Sequence, residues 1–358
     1  RQMCIRDRLL SGKAMVDKGQ ELLDILGDVL LTVRLDDRER LRQIVLQEKA
    51  ALESALVPSG HGFVAGRIRA HFSKGAWVGE QSLGVDYLLF LRSLTDRIEA
   101  DWPSVLADLR AIHHLLIDRG SLICNVTVDA EDYARFEPKL TAFLASIPAR
   151  TQPAATWTPT LEPTSEGLAL PAQVNYVGKG ANLYSLGYEL HGSALVIVRF
   201  LGTTWLWDRV RVQGGAYGGF CTFDRLSGVL CYLSYRDPNL LATIETYDRT
   251  ADFLRRFDLP QEEIEKIIIG VIGQMDAYQL PDAKGYTSMI RYLTGQTDEL
   301  RQRLRDEVLA TEAEDFRSLA SLLDRVAQQG LVVVMGSDQA LAEANETLEP
   351  DLALTKLM

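Results

Sequence analysis

The chain has 358 residues, of which 47% are hydrophobic and 24% charged, and its formal net charge is −11. These values are typical of a globular protein with about two domains, each large enough for its own core. Residues 1–150 carry 20 basic and 21 acidic side chains, whereas residues 151–358 carry 18 and 28. The acidic second half argues against a nucleic-acid partner. It is compatible with attraction of basic peptides, although a merely solvated acidic surface is the simpler explanation.

The sequence shows neither a membrane span nor a disulfide framework. Ala194–Trp207 is the most apolar stretch, but it is shorter than the roughly 18 residues of a span and contains Arg199. The N-terminus lacks a signal-peptide pattern, so we expect a cytoplasmic protein, or an organelle-matrix protein in a eukaryote, with no membrane partner. The four cysteines show no CxxC spacing. Cys221 and Cys231 lie in apolar runs and are expected to be buried thiols of a reducing compartment.

Helical periodicity dominates the first part of the chain. Apolar residues recur at helical spacing from Ser11 to about Leu56, and further helices are predicted over 62–73, 80–93 and 103–118. Ser121–Val128 has the pattern of a short buried strand, and Ala130–Leu144 that of a helix with Asp129 as its N-cap. We therefore expect residues 11–147 to form a helix-rich domain that ends in a strand plus a helix.

Prolines recur between residues 148 and 171, separated by many Thr and Ala residues. This composition does not favour a regular element and is typical of an extended linker. We therefore place a domain boundary there, with a second domain over 172–358.

The second domain is predicted to mix strands with helices. Ala172–Val177 alternates like a strand, a long apolar helix follows over Tyr184–Asp208, and Ala216–Phe223 forms a hairpin with Gly228–Tyr235. Helices are expected over 238–256, 260–279, 284–294, 297–309, 312–328 and 338–348, with a buried strand over Leu331–Met335. Both domains thus end in a strand and a capped helix, which indicates an α+β fold with a duplicated architecture.

No complete catalytic centre is visible in the sequence. The five histidines form no HExxH or HxxEH pattern, and we interpret each of them as structural or surface-exposed. No nucleophile signature such as GxSxG is present. Gly178-Lys179-Gly180 superficially suggests phosphate binding, but the remainder of a P-loop is missing.

The segment from Arg211 to Phe220 is the strongest candidate for chemistry. Its four glycines surround Tyr217, and clustered glycines suggest that something approaches the backbone closely. On an open sheet edge they would leave room for a peptide to pair by β-augmentation. A tyrosine hydroxyl can stabilise an oxyanion by about 2.7–4 kcal/mol in a preorganised site, and an arginine can bind a carbonyl or carboxylate. The alternative is a glycine-rich bend with Tyr217 packed and Arg211 solvated.

Two segments resemble the presequence proteases, which belong to the pitrilysin/insulinase clan of zinc metallopeptidases. The first is Val174–Tyr184, and the second, one helix length later, is Asp208–Gly218. Ser59-Gly60-His61, after a long helix pair, is similar to the preceding portion of that family. The resemblance covers roughly residues 11–350 and is most specific at 174–219.

The resemblance implies four homologous α+β domains in two bowl-shaped halves that close over a peptide. Each domain would have an antiparallel-rich sheet packed with helices, and the zinc would lie in the first domain. This chain would then contain most of the third domain, incomplete at its N-terminus, and the whole of the fourth. Zinc would be bound outside this chain and none by the chain itself, and the partners would be the N-terminal half and unstructured peptides.

The resemblance also implies roles for individual residues. Tyr217 and Arg211 match the family's catalytic pair, which contacts the substrate backbone and stabilises the tetrahedral intermediate. Residues matching the neighbouring substrate-binding positions are Gly214, Gly215, Ala216, Gly218 and Gly219.

We therefore predict the C-terminal half of a zinc metalloendopeptidase that degrades unstructured peptides of the targeting-peptide type in a closed chamber. The chain by itself is predicted to be inactive. The alternative is a non-catalytic partner or scaffold subunit of the same clan. Retention of both Arg211 and Tyr217 favours the enzyme, because a scaffold does not need an oxyanion donor.

Overall fold

A computed structural model describes residues 9–149, 159, 161–256, 258 and 260–358. Contacts divide the chain into two compact units. Unit 1 comprises the described residues within 1–53 and 88–157, with Gln279–Leu293, and unit 2 comprises Ser54–Tyr87, the described residues within 158–278, and Thr294–Met358. The units are thus assembled from interleaved segments, and the assignment of 11–147 and 172–358 to two family domains stays a prediction.

The described elements confirm an α+β protein. The α-helices are α1 Gly19–Leu31, α2 Arg38–Ala55, α3 Gly60–Ala70, α4 Lys74–Leu83, α5 Val85–Ala100, α6 Trp102–Leu116, α7 Ala130–Ser146, α8 Ser193–Thr203, α9 Leu241–Asp248, α10 Thr250–Arg256, α11 Gln261–Met275, α12 Pro281–Leu293, α13 Asp298–Leu309, α14 Ala313–Gln329 and α15 Asp338–Asn345. The strands are β1 Glu166–Ala169, β2 Tyr176–Asn182, β3 Gly218–Asp224, β4 Val229–Tyr235, β5 Leu331–Gly336 and β6 Ala353–Lys356. Within the described ranges, no helix combines the length and hydrophobicity that a transmembrane span requires.

Helices account for most of the first half of the chain. The predicted helices over 103–118 and 130–144 are confirmed as α6 and α7, and the Asp129 carboxylate accepts a hydrogen bond from the Asp132 N–H at 2.9 Å. The single helix predicted over 80–93 is wrong, because Gly84 separates α4 from α5. A capping side chain such as Asp129 and a glycine such as Gly84 set where a helix begins or ends, because they act within one turn of the chain.

The strand predicted over Ser121–Val128 is wrong. A 3₁₀ turn spans Arg119–Ser121, and the following residues run without strand pairing to the start of α7. Leu122 and Ile123 are 37% and 56% exposed, so the apolar pattern does not correspond to burial. A strand needs a neighbour to bond its backbone groups, and the described part of unit 1 supplies none. The expected duplication of the closing strand and helix is therefore not found in the described residues.

Unit 2 is built on one six-stranded sheet with the order β3-β4-β2-β5-β1-β6. The pairs β3–β4, β4–β2 and β2–β5 are antiparallel, whereas β5–β1 and β1–β6 are parallel. The predicted hairpin and the predicted strand over Leu331–Met335 are confirmed as β3–β4 and β5. The strand predicted over Ala172–Val177 instead begins at Tyr176. The sheet therefore leaves β3, the strand after the glycine-rich segment, at one edge.

Two expectations in this half need correction. The segment predicted as linker, 148–171, contains β1, which is buried between β5 and β6 although its sequence, Glu-Gly-Leu-Ala, carries no strand signal. The helix predicted over Tyr184–Asp208 begins only at Ser193 and ends at Thr203. Gly187 has a φ of +82°, a turn conformation that interrupts the apolar run before the helix.

Helices cover both faces of the sheet. Gly178 and Gly180 allow α3 to pack closely, because a Cβ there would lie only 2.4 Å from Val64 Cγ1 and 2.7 Å from Ile68 Cγ2. Lys179, on the opposite face, donates to Asp248 Oδ1 at 2.6 Å and to the Ala327 carbonyl at 2.7 Å. These contacts explain the Gly-Lys-Gly sequence without a phosphate.

Candidate functional site

The glycine-rich segment joins a π-helix to the edge strand β3. The π-helix spans Trp207–Gln213 and carries Arg211 on its last turn. Three hydrogen bonds close its end: the N–H groups of Gly214, Gly215 and Ala216 donate to the carbonyls of residues 209, 211 and 210 at 3.0, 3.0 and 3.1 Å. Gly215 has a φ of +80°, which L side chains rarely adopt. π-Helical turns occur frequently at functional sites.

Arg211 is exposed and stacks on an aromatic ring. Its guanidinium carbon lies 4.0 Å from the centre of the Trp207 ring. No carboxylate in the described part of the chain lies within ion-pair distance of it. The stacking restricts the long side chain while its five donors stay accessible to a ligand.

Tyr217 is the most exposed aromatic side chain of this segment. Its side chain is 64% exposed, and its backbone N–H donates to the Tyr235 carbonyl at 2.9 Å. The phenolic hydroxyl has no hydrogen bond to another described residue. The alternative in which Tyr217 is packed is therefore wrong, and the hydroxyl is available to a ligand.

The structure brings Arg211 and Tyr217 to the two sides of one turn without joining them. No hydrogen bond or ion pair connects the two side chains among the described residues. Each is instead held by its own partner: Arg211 by Trp207, and Tyr217 by Arg236, whose guanidinium carbon lies 5.8 Å from the tyrosine ring centre.

Close packing inside the protein requires glycine at two positions of the segment. A Cβ at Gly219 would lie 2.8 Å from the Leu206 carbonyl oxygen, and one at Gly214 would lie 2.6 Å from the Val210 carbonyl oxygen. Both glycines thus let β3 and the turn pack against the π-helix. Gly218, Gly219 and Ala216 are buried. A contact of these residues with substrate stays a prediction.

The outer edge of β3 is open. This strand pairs with β4 and with no other described strand. Phe220, whose ring is 39% exposed, follows the buried pair of glycines. An extended peptide can add to such an edge through backbone hydrogen bonds.

A buried polar cluster supports the turn, and the sequence analysis missed it. The Asn239 amide donates to the Gly214 carbonyl at 2.6 Å. Asp237 is fully buried and accepts hydrogen bonds from the Asn239 N–H at 2.9 Å and the Thr243 hydroxyl at 2.7 Å. Burial raises the pKa of Asp237, although these donors oppose the shift. The Asp-Pro-Asn sequence directly after β4 is a turn signal that could have pointed to it.

His61, on α3, contacts aromatic rings of both β3 and β4. Its ring stacks on Phe220 at 5.6 Å and meets Tyr235 edge-on at 4.9 Å. Burial lowers the pKa of His61, which favours the neutral ring at pH 7. The position is typical of a packed aromatic cluster.

The described residues do not form a metal centre. No three His, Cys, Asp or Glu side chains among them lie close enough together to hold a metal ion. The residues that the structure describes therefore do not fit a zinc site, and no step of the chemistry can be assigned to a metal held by them.

Comparison with known proteins identifies relatives of this chain among the presequence proteases. Residues 165–338 match the family described as the PreP C-terminal domain, and residues 3–94 match a family described as associated with peptidases of subfamily C of the M16 group. Presequence protease 1, chloroplastic/mitochondrial, from Arabidopsis thaliana is 45% identical over 338 residues, which cover 94% of this chain and 31% of that protein. The chain thus spans about a third of the length of the curated relatives it matches.

Solved structures share the fold. A protease from Helicobacter pylori superposes with a TM-score of 0.60 at 16% identity, over 89% of this chain and 77% of that one. A structure described as the peptidase M16 inactive domain from Pseudomonas fluorescens gives 0.55 at 13% identity, over 90% and 76%. At these identities the likeness shows the fold alone.

Proposed function

Because the chain belongs to the presequence-protease family of pitrilysin-like (M16) peptidases, we propose that it is the C-terminal half of a zinc metalloendopeptidase. Its substrates would be unstructured peptides of the targeting-peptide type, degraded in a closed chamber. The observation that carries the proposal is the exposed, unpartnered hydroxyl of Tyr217 beside an open sheet edge. The similarity to a chloroplastic/mitochondrial protease of Arabidopsis thaliana supports an organelle matrix as the location in a eukaryote.

Tyr217 and Arg211 would act on the peptide bond from one side. The Tyr217 hydroxyl donates a hydrogen bond to the oxyanion that develops on the scissile carbonyl, and the Arg211 guanidinium binds a backbone carbonyl of the substrate. The edge of β3 would hold the peptide in an extended conformation. A donor already fixed before the reaction is worth more than one that must reorganise, and the turn fixes the backbone that carries Tyr217.

The zinc and the general base would be supplied by the N-terminal half of the protein. Zinc, once bound there, would polarise the scissile carbonyl and activate water. This chain alone is then expected to be inactive, since it lacks both groups.

The test uses a chimaera in which this chain replaces the stretch of the Arabidopsis protein that it matches. Tyr217→Phe is expected to lower kcat on a fluorogenic peptide by about 10²–10³-fold with little change in thermal stability, because it removes one oxyanion donor. Tyr278→Phe is the matched control, since Tyr278 is 84% exposed and lies outside the segment.

Turnover of Tyr217→Phe at the wild-type rate would show that the hydroxyl does not act in catalysis. A wild-type chimaera that binds peptide but does not cleave it would instead favour the non-catalytic partner or scaffold subunit.

A further inference from the structure

We infer that Arg236 is a positioning residue for Tyr217, a role that nothing in the sequence pattern assigned to it. The inference rests on the proposed function, in which the Tyr217 hydroxyl acts on the substrate. Arg236 directly follows β4, the strand that pairs with β3, and its guanidinium lies over the Tyr217 ring. Its side chain therefore reaches the proposed oxyanion donor from the neighbouring strand.

The backbone of Arg236 is in a conformation that arginine disfavours. Its φ of +47° is the only positive φ of a non-glycine residue in the described part of the chain. The left-handed region costs an L residue roughly 1–2 kcal/mol, and such strain persists only where the surroundings impose it. Here glycine would fit the backbone better than arginine does.

The surroundings of Arg236 impose this conformation. The next residue, Asp237, exchanges two backbone hydrogen bonds with Asn175, both at 2.8 Å. Its buried carboxylate is held by Asn239 and Thr243. Because Asn239 also donates to the Gly214 carbonyl, the same cluster fixes the turn before Tyr217 and the turn that carries Arg236.

The Arg236 guanidinium lies over two aromatic rings and also interacts with the Tyr176 hydroxyl. Its central carbon lies 5.8 Å from the Tyr217 ring centre and 5.5 Å from that of Tyr235. Cation–π attraction over these distances restricts the otherwise exposed Tyr217 ring to one orientation. A positive charge beside the phenol also strengthens the hydrogen bond that its O–H donates to a developing negative charge. Both effects act through Tyr217, so Arg236 need not touch the substrate.

The strained backbone allows a test that separates positioning from packing. Arg236→Gly relieves the left-handed strain but also removes the interaction of the guanidinium with the Tyr176 hydroxyl, so its thermal stability is expected to stay close to that of the wild-type chain. In the chimaera, kcat is expected to fall about tenfold with little change in KM, because the Tyr217 ring is no longer held in one orientation. Arg236→Lys is expected to restore part of kcat, since it keeps the charge.

Two controls define the effect as one on Tyr217. Arg225→Gly removes an exposed charge from the loop at the other end of the same hairpin and is expected to leave kcat unchanged. In a Tyr217→Phe background, Arg236→Gly is expected to cause no further loss, because the hydroxyl on which it acts is absent.

A normal kcat for Arg236→Gly alongside an impaired Tyr217→Phe overturns this inference and leaves the proposed function standing. An equal loss in the Tyr217→Phe background also overturns it, because Arg236 would then act independently. The NMR shifts of the Tyr217 ring in this chain alone provide a readout that needs no activity. They are expected to move in Arg236→Gly and less in Arg236→Lys, and unchanged shifts contradict the contact.

Discussion

Arg67 holds three buried or half-buried carboxylates in unit 2, and its removal should be one of the most damaging single changes. Its Nε and Nη2 donate to the two oxygens of Glu166 at 2.5 and 2.9 Å, a bidentate pair. Its Nη1 donates to Asp86 at 2.8 Å and to Glu80 at 3.4 Å. The Glu80 and Glu166 side chains are only 2% and 10% exposed. Water therefore cannot replace the guanidinium readily.

Arg67→Met is expected to lower the free energy of unfolding at pH 7.5 by about 3–5 kcal/mol. Breaking a buried ion pair has this effect because the remaining charge stays desolvated and uncompensated. Here two nearly buried carboxylates lose their cation. Met keeps most of the volume of the side chain, so the loss reports the charge rather than a cavity.

The decrease in the free energy of unfolding caused by Arg67→Met should become smaller as the pH falls. In the wild type, burial opposes ionisation of Glu166, but the contacts with His71 and Arg67 outweigh it and lower the pKa of Glu166. This contribution is present above the unfolded pKa of about 4.3 and is lost as the pH falls through the lower folded value. Without Arg67, burial still opposes ionisation of Glu166, and only the His71 contact is left to counter it. The penalty then exists at neutral pH and disappears as the pH falls toward the unfolded pKa.

Urea unfolding followed by circular dichroism at pH 7.5 and pH 4.5 measures both effects. Arg42→Met is the control: the side chains of Arg42 and its partner Glu99 are 40% and 53% exposed, so the urea midpoint should hardly move. Equal midpoint shifts for the two variants, or a deficit in Arg67→Met that grows at pH 4.5, would refute the reasoning.

Three further predictions concern a turn, a thiol and an unpaired segment. Gly215→Ala should lower the free energy of unfolding by about 1–2 kcal/mol, because Gly215 has a φ of +80°. Gly62→Ala should raise the free energy of unfolding, because Gly62 lies in a helix with open space around it. Urea titration of both variants shows whether their effects have opposite signs. Iodoacetamide at pH 8 should modify Cys124 before Cys231, because Cys124 is exposed whereas burial raises the pKa of Cys231 to about 11; modification of Cys231 before Cys124 in mass spectra of native protein contradicts this. In hydrogen–deuterium exchange of this chain alone, the amides of 123–128 should exchange within seconds and those of β4 slowly, and comparable protection would contradict the unpaired state.

The sequence alone determined the elements whose signals are local. Asp129 caps α7 as expected, because a cap acts on the N–H groups of the next turn. The hairpin β3–β4 was predicted from two strand-prone runs with a short loop between them. The family resemblance was visible in Val174–Tyr184 and Asp208–Gly218, because it depends on the order of residues along the chain and not on the fold.

Partners distant in sequence were decided only by the tertiary structure. β1 was missed because its burial comes from β5 and β6, far along the chain, and the strand predicted over Ser121–Val128 failed because no described strand lies beside it. The residues that support the site could not be predicted for the same reason. Asn239 contacts Gly214, and Arg236 contacts Tyr217, only once β3 and β4 are paired. Periodicity and capping report the next few residues, whereas sheet pairing and buried polar contacts depend on where the whole chain brings its segments together.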